Sequence, residues 1–329
     1  MVTVDESLDD WQSLAKRYEW PLMLTGNGAS IAVSRRFRYD SLYVHAPLDR
    51  SDRRIFNEID TTNFELVLDS LRHASAICGV LGHSSSDAAA HYSSVQQALI
   101  RAVRAVHPGW NEVPPSTDRA IEGAISQHEV VFTTNYDLLS YWAIMSHRPW
   151  PRVRDLFWGT GNTFDMTNTA LRGTATVILY LHGGLHLYQD SVTGATGKWS
   201  GTDSLLNLSS RLGGTTRKRS LFVSEARSVD KLRSIRGSDY LSFAYEQLAT
   251  DERSIVVFGH SLSDGDRHIV DALNSAPRTR RVAFSLRPDP NPHEIIAAKT
   301  RIRNTLTSAR VHFFDSTTHP LGDLAIRIR

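Results

Sequence analysis

Short apolar runs recur along the chain, each closed by glycine or a small polar residue. Residues 20–25 run into Gly26, residues 130–133 into Thr134, Asn135 and Tyr136, and residues 177–181 into His182 and two glycines. Residues 221–224, 254–258, 281–286 and 311–314 continue the series. The runs are mostly unbroken rather than alternating. A strand covered on both faces reads this way, so the runs predict a parallel sheet with helices on each side. Between them, Phe64, Val67, Leu68, Leu71 and Ala74 recur at helical spacing within residues 64–79. Residues 95–106 do the same and stop short of Pro108. Residues 240–248 and 268–273 read as two more helices.

The pattern predicts an α/β fold, a doubly wound and mostly parallel Rossmann-like sheet, with residues 1–329 as one domain. Two long helices follow one another without a strand, which places a helical insertion at about residues 60–127. Residues 189–214 are rich in Gly, Ser and Thr and are expected to form a mobile loop or lid.

Composition then narrows the classes. The 329 residues are 41% apolar and 22% charged, enough to bury a sizeable core. A net charge of +2 is too mild to imply a nucleic-acid or membrane surface, and Arg217, Lys218 and Arg219 are expected on a solvated loop. The single cysteine, Cys78, excludes an intrachain disulfide and any four-cysteine zinc module. It is expected to be a buried, inert thiol on a helix. The N-terminus is acidic without an apolar run, and no apolar segment approaches the ~20 residues that span a bilayer. A cytoplasmic protein is expected, with no membrane partner and no direct nucleic-acid partner.

In an open parallel sheet, ligands bind beyond the carboxyl ends of the strands. The unusual residues of this chain lie there. Gly26, Asn27, Gly28, Ala29 and Ser30 form a GNGAS turn that suits a phosphate, although a plain structural turn reads equally well. Asn135 and Asp137, within Thr133–Asp137 (TTNYD), can grip an amide or a ribose hydroxyl, or cap a helix. His182, beside two glycines, is placed for general-base work. His186 follows four residues later, but Gly183 and Gly184 argue against the helix a metal-binding pair needs, so no metal is expected. Gly259, Ser261 and Leu262 belong to a GHSLSD turn that makes a second phosphate or ribose cradle. It also nearly matches a nucleophile elbow, with Ser261 as nucleophile and His319 as base, but Ser263 stands where that motif has glycine.

Taken in order, GxGxS, T-x-N-x-D, HG and G-x-S-L resemble the motif series of the sirtuin fold. The chain looks like bacterial sirtuin-like proteins of antiviral defence, of the type carrying GNG[AF]S early and G-x-S-L-x-x-x-D late. The resemblance implies that Gly26, Gly28, Ala29 and Ser30 line the pyrophosphate and the nicotinamide-side ribose of NAD⁺. It makes Asn135 and Asp137 the nicotinamide pocket, with Asn135 holding water or ribose hydroxyls, and His182 the catalytic histidine. Gly259, Ser261 and Leu262 would hold the adenosine half. Phe37 and Arg38 match a Phe-Arg pair of the family, one residue short in spacing. The lone cysteine departs from the four-cysteine zinc module of deacylating sirtuins, which turns the expectation toward NAD⁺ hydrolysis with water as acceptor. An NAD⁺-draining enzyme needs gating, most simply by a homo-oligomer, and the resemblance further implies a sensor or HerA-like ATPase partner. Two other functions stay open: a module that senses NAD⁺ or ADP-ribose without cutting it, and a serine hydrolase using Ser261.

Overall fold

The unbroken apolar runs form the middle of the sheet. In the computed structural model, residues 4–146, 153–157, 161–169, 173, 175–207, 217–225, 227–276 and 280–328 are described. Among these residues, seven strands make one sheet: β1 (Leu22–Thr25), β2 (Val130–Thr133), β3 (Val153–Arg154), β4 (Thr176–Tyr180), β8 (Ile255–Phe258), β9 (Arg281–Leu286) and β10 (Arg310–Asp315). Their order is β10-β9-β8-β1-β2-β4-β3, and every neighbouring pair is parallel. All residues of β1, β2, β4 and β8 are buried, so both faces of the central strands are covered and no polar alternation arises. The fold is α/β, doubly wound and mostly parallel.

From β1 the chain builds outward through β2 to β4 on one side, then crosses over to start β8 on the other side of β1. The sheet therefore has its switch point between β1 and β8, where a crevice opens beyond the strand ends. The β1–β2 connection is wholly helical. It holds α2 (Asn27–Val33), α3 (Tyr39–His45), α4 (Arg50–Glu58), α5 (Phe64–Val80), α6 (Ser86–Val106) and α7 (Pro115–Ile125). Asn63 caps α5 by accepting the Glu65 N–H at 2.9 Å. Helix α5 buries Phe64, Val67, Leu68 and Leu71 in its first half only, and α6 buries residues from Val95 onward. The joined ends of the two helices thus project, leaving Ile77, Val80 and Leu81 exposed. Cys78 sits on this projecting part and is only half-buried, contrary to the expectation of a buried thiol, because it lies beyond the buried first half of α5, which ends at Leu71.

The run at residues 221–224 is not a strand of the parallel sheet. It contributes to β7 (Lys218–Phe222), which pairs antiparallel with β5 (Gly183–Asp190), itself paired with β6 (Thr196–Lys198). Two glycines after His182 read as the end of a strand, yet there they start the next one. Gly183 has φ 77°, and a Cβ on it would stand 2.1 Å from the Leu221 carbonyl oxygen, so only glycine lets β5 and β7 meet. Within residues 189–214, the end of β5 and the whole of β6 are strand, while residues 208–214 lie outside the described residues. Lys218 and Arg219 are solvated as expected, but on β7 rather than on a loop, and Arg217 reaches Asp190 at 2.8 Å. Among the described residues, no helix is long and apolar enough to cross a membrane.

The remaining helices cover the sheet and border the crevice: α1 (Trp11–Arg17), α8 (Leu139–Ser146), α9 (Ser228–Arg236), α10 (Asp239–Thr250), α11 (Arg267–Asn274) and α12 (Pro292–Thr305). Phe132, fully buried at the sheet centre, and Val80, 87% exposed on the projecting helix end, mark the extremes of packing. Phe132→Ala is expected to cost about 3–5 kcal/mol, and Val80→Thr less than about 0.5 kcal/mol. Urea unfolding of both variants checks this, and equal losses would contradict the packing described.

Candidate functional site

Two loops leave β1 and β8 side by side and touch backbone to backbone. The Gly26 N–H donates to the Phe258 carbonyl at 3.0 Å, and the Gly28 N–H to the Gly259 carbonyl at 2.7 Å. A Cβ on Gly28 would lie 2.6 Å from the Gly259 Cα, and one on Gly259 would lie 2.5 Å from the Ala29 nitrogen. Gly259 also has φ 66°. These glycines are thus required by the contact between the loops, and the Gly28 amide hydrogen is already spent on it. Three residues further, Leu262 is buried with φ 49°, an uncommon conformation for a bulky residue, and its N–H donates to His260 Nδ1 at 3.0 Å.

The first motif also binds the second. Ser30 donates its hydroxyl to Asp137 Oδ2 in a short hydrogen bond, and accepts from Asn135 Nδ2 at 2.8 Å. Asp137 Oδ1 accepts the Leu139 N–H at 2.9 Å, in the manner of a helix cap at the start of α8. The Asn135 N–H is held by Thr133 Oγ1 at 3.1 Å. With its amide nitrogen committed to Ser30, Asn135 keeps one side-chain oxygen that is buried and has no hydrogen-bond partner. An unmet buried acceptor costs about 1–3 kcal/mol, so a donor from a ligand or water is favoured there.

His182 follows β4 and is almost fully buried. Its Nε2 lies 2.9 Å from His268 Nε2, near the start of α11. His268 Nδ1 lies 3.0 Å from Ser228 Oγ, which also accepts the His268 backbone N–H at 2.6 Å. Close by, the buried Lys231 ammonium of α9 bridges Glu65 at 3.0 Å and Asp266 at 2.7 Å. Burial alone would lower the Lys231 pKa, but Glu65 and then Asp266 outweigh it and hold the group above the usual lysine value. Burial would likewise raise Asp266, yet Lys231, His260 and His182 keep it below the usual carboxylate range. The histidines go the other way: burial pushes His182 well below its ordinary value, with Asp266 opposing, and lowers His260 too. At neutral pH the site therefore holds fixed charges on Lys231 and Asp266 beside neutral imidazoles.

Gly28, Asn135, Asp137, His182, Gly259 and Ser261 line one cavity of about 270 Å³. This is near the lower end of the ~300–1,000 Å³ of small-molecule sites, and a dinucleotide would extend beyond it. Gly26, Ala29, Ser30 and Leu262 do not line it: Ser30 is buried against Asp137, and the Ala29 N–H turns back to the Gly26 carbonyl. Phe37 lines the cavity, while Arg38 is exposed and pairs with Asp40 at 3.2 Å. Lys231, Glu65, His260 and Asp266 also line it and were not singled out from the sequence. Asp266 had a signal, being the last residue of the G-x-S-L-x-x-x-D pattern; Lys231 and Glu65 had none.

Ser261 and His319 are not brought together. His319 Nδ1 accepts the Leu321 N–H at 3.1 Å, its ring packs 4.7 Å from Phe258, and it is not part of the cavity wall. Burial lowers its pKa to about 3. His186 is buried with its ring stacked 4.6 Å from Tyr141. His182, Asp266 and His268 offer ligand atoms within 4.8 Å of one another, a grouping that could hold a metal ion. The Lys231 ammonium on Asp266 opposes a second cation there.

Fold and site together define a parallel α/β protein with its cleft at the switch point of the sheet. The chain belongs to the family described as a domain of unknown function (DUF4917), whose model matches residues 23–321. No curated protein matches it. Among solved structures it is similar to one described as "Structure of Sir2Tm bound to a propionylated peptide". The identity is 12% over 89% of this chain and 96% of that one, with a TM-score of 0.33.

Gly259→Ala must strain the backbone and collide with Ala29, so a stability loss of at least about 1–3 kcal/mol is expected in chemical denaturation. A variant as stable as the parent would show that the loops do not touch. Burial lowers the His268 pKa from 6.5 to about 4. The unfolded chain then takes up this proton first, so stability should fall as pH drops from 6.5 toward 4. Melting temperature against pH should show that slope, and His268→Gln should reduce it.

Proposed function

We propose that the chain binds NAD⁺ in this cavity and hydrolyses its nicotinamide–ribose bond. The observation that carries the reading is convergence. GNGAS, TTNYD, the histidine after β4 and GHSLSD lie far apart in sequence, yet residues from all four line one cavity at the switch point. The cavity supplies a neutral imidazole on His182 and an unmet acceptor on Asn135.

In the reaction, a water oxygen bonds to C1′ of the ribose, the C1′–nitrogen bond breaks, and its electron pair neutralises the departing nicotinamide. His182 takes the proton the water gives up. Asn135 Oδ1 accepts a hydrogen from that water or from a ribose hydroxyl. Asp137 uses two of its acceptor positions on Ser30 and Leu139, which leaves lone pairs for the carboxamide N–H. The neighbouring Asp266 carboxylate favours the cationic form of His182 once it has taken the proton. No four-cysteine zinc module can be built from one cysteine, so water rather than an acyl-lysine is the acceptor.

An enzyme of this kind left active drains its cell of NAD⁺. The reading therefore includes gating, through a homo-oligomer and a partner such as a HerA-like ATPase, within an antiviral response in the cytoplasm. It rests on the motif resemblance and on the need for control.

Purified protein given NAD⁺ should release nicotinamide and ADP-ribose. His182→Ala should lower the rate about 10²–10⁴-fold with an unchanged circular dichroism spectrum. NAD⁺ binding without release by the parent protein would instead identify a sensor module, and an undiminished rate in the folded variant would remove His182 from the chemistry.

A further inference from the structure

The His182–His268 contact is unlike the rest of the site. Two buried imidazoles face each other Nε2 to Nε2 at 2.9 Å, so one ring must carry its proton there and the other must not. If His268 donated, neutral His182 would hold its own proton on Nδ1 and have no free lone pair. If His268 accepts, His182 carries its proton on Nε2 and its Nδ1 is bare.

We propose that His268 is the positioning residue of this site: its Nε2 accepts the Nε2–H of His182 and so leaves His182 Nδ1 free to take a proton. The proposal rests on His182 being the base of the hydrolysis described above. Ser228 fixes the far end of the pair. Its oxygen accepts the His268 backbone N–H at 2.6 Å and lies 3.0 Å from Nδ1; in the proposed order it also accepts the Nδ1–H, with the His268 proton off Nε2. Tyr245 of α10 donates its hydroxyl to the His268 carbonyl at 3.0 Å and anchors the helix start from the other side.

Four titratable groups surround the pair. Asp266 and His260 approach from the loop after β8, Lys231 from α9 and Asp271 from α11 itself. Lys231 is held by Glu65 and Asp266, so it neither donates into the pair nor leaves a carboxylate to take the His268 proton. When the attacking water bonds to C1′ and nicotinamide leaves with the electron pair, the proton goes to His182 Nδ1. The resulting cation is held by His268 Nε2 and faces the Asp266 carboxylate. The proton returns to solvent as product departs.

NMR of nitrogen-labelled imidazole rings, with no nucleotide present, reads the tautomer directly. At neutral pH His182 is expected in the Nε2–H form in the parent protein, in mixed forms in His268→Leu, and back in the Nε2–H form in His268→Gln, which keeps a polar acceptor. In nicotinamide release, His268→Leu should lower kcat about 10²-fold at unchanged KM and move the acid limb of the pH profile, with His268→Gln partly restoring both. An Nδ1–H form of His182 in the parent overturns the proposal, and needs no variant to fold. So does an unaltered tautomer in folded His268→Leu, or one equivalent of a divalent metal whose removal by chelator separates the rings. If the parent shows the expected tautomer yet releases no nicotinamide, the hydrolysis has failed and the pairing stands.

Discussion

The contact between the loops that leave β1 and β8 is the constraint on which the site depends. Neighbouring parallel strands deliver two chain segments to the same place, and the segments meet with no room for a Cβ at Gly28 or Gly259. That contact sets where α2 begins, and with it the position of Ser30. Ser30 in turn orients Asn135 and Asp137 through its hydroxyl. On the other side, the left-handed Leu262 turns the chain so that Ser261 and Asp266 come to the same cavity. Strain of this sort persists only where the surroundings over-determine it, and the backbone hydrogen bonds from Gly26 and Gly28 supply that determination.

A second organising element is electrostatic. Lys231 is buried, and an isolated ammonium would be very costly there. Two carboxylates from separate parts of the chain offset that cost, Glu65 from the helical β1–β2 connection and Asp266 from the loop after β8. The ion pairs therefore tie the helical β1–β2 connection, α9 and the switch-point loop together. Such a network adds little net stability over an apolar replacement, but removing one partner is costly because it leaves a buried charge uncompensated.

The parts of this design that sequence discloses are those with a local cause. Unbroken apolar runs disclose β1, β2, β4 and β8 because covering both faces removes alternation. Glycines and small polar residues after them disclose Gly28, Asn135, Asp137, His182, Gly259 and Ser261, since strand ends at a switch point are where clefts form. What was illegible has a tertiary cause. β3 is two residues long, and β5 starts on glycines that look like a stop. His268 lies 86 positions from His182, and Lys231 lies 166 from Glu65; each alone reads as an ordinary helix residue. Gly28 and Gly259 were legible as special, but the reason is their contact with each other, which no single motif states.

Helix α5 begins beside the cavity with Glu65 and ends in solvent at Val80, running alongside α6 and held to α9 by Glu65 on Lys231 and Arg72 on Asp230. Fifteen residues at ~1.5 Å each separate those points by about 22 Å. The projecting pair is thus mechanically a lever with a short arm at Lys231 and a long arm in solvent. A push at the exposed tip is delivered to the ion pairs of Arg72 with Asp230 and of Glu65 with Lys231, the second of which stands at the wall of the cleft.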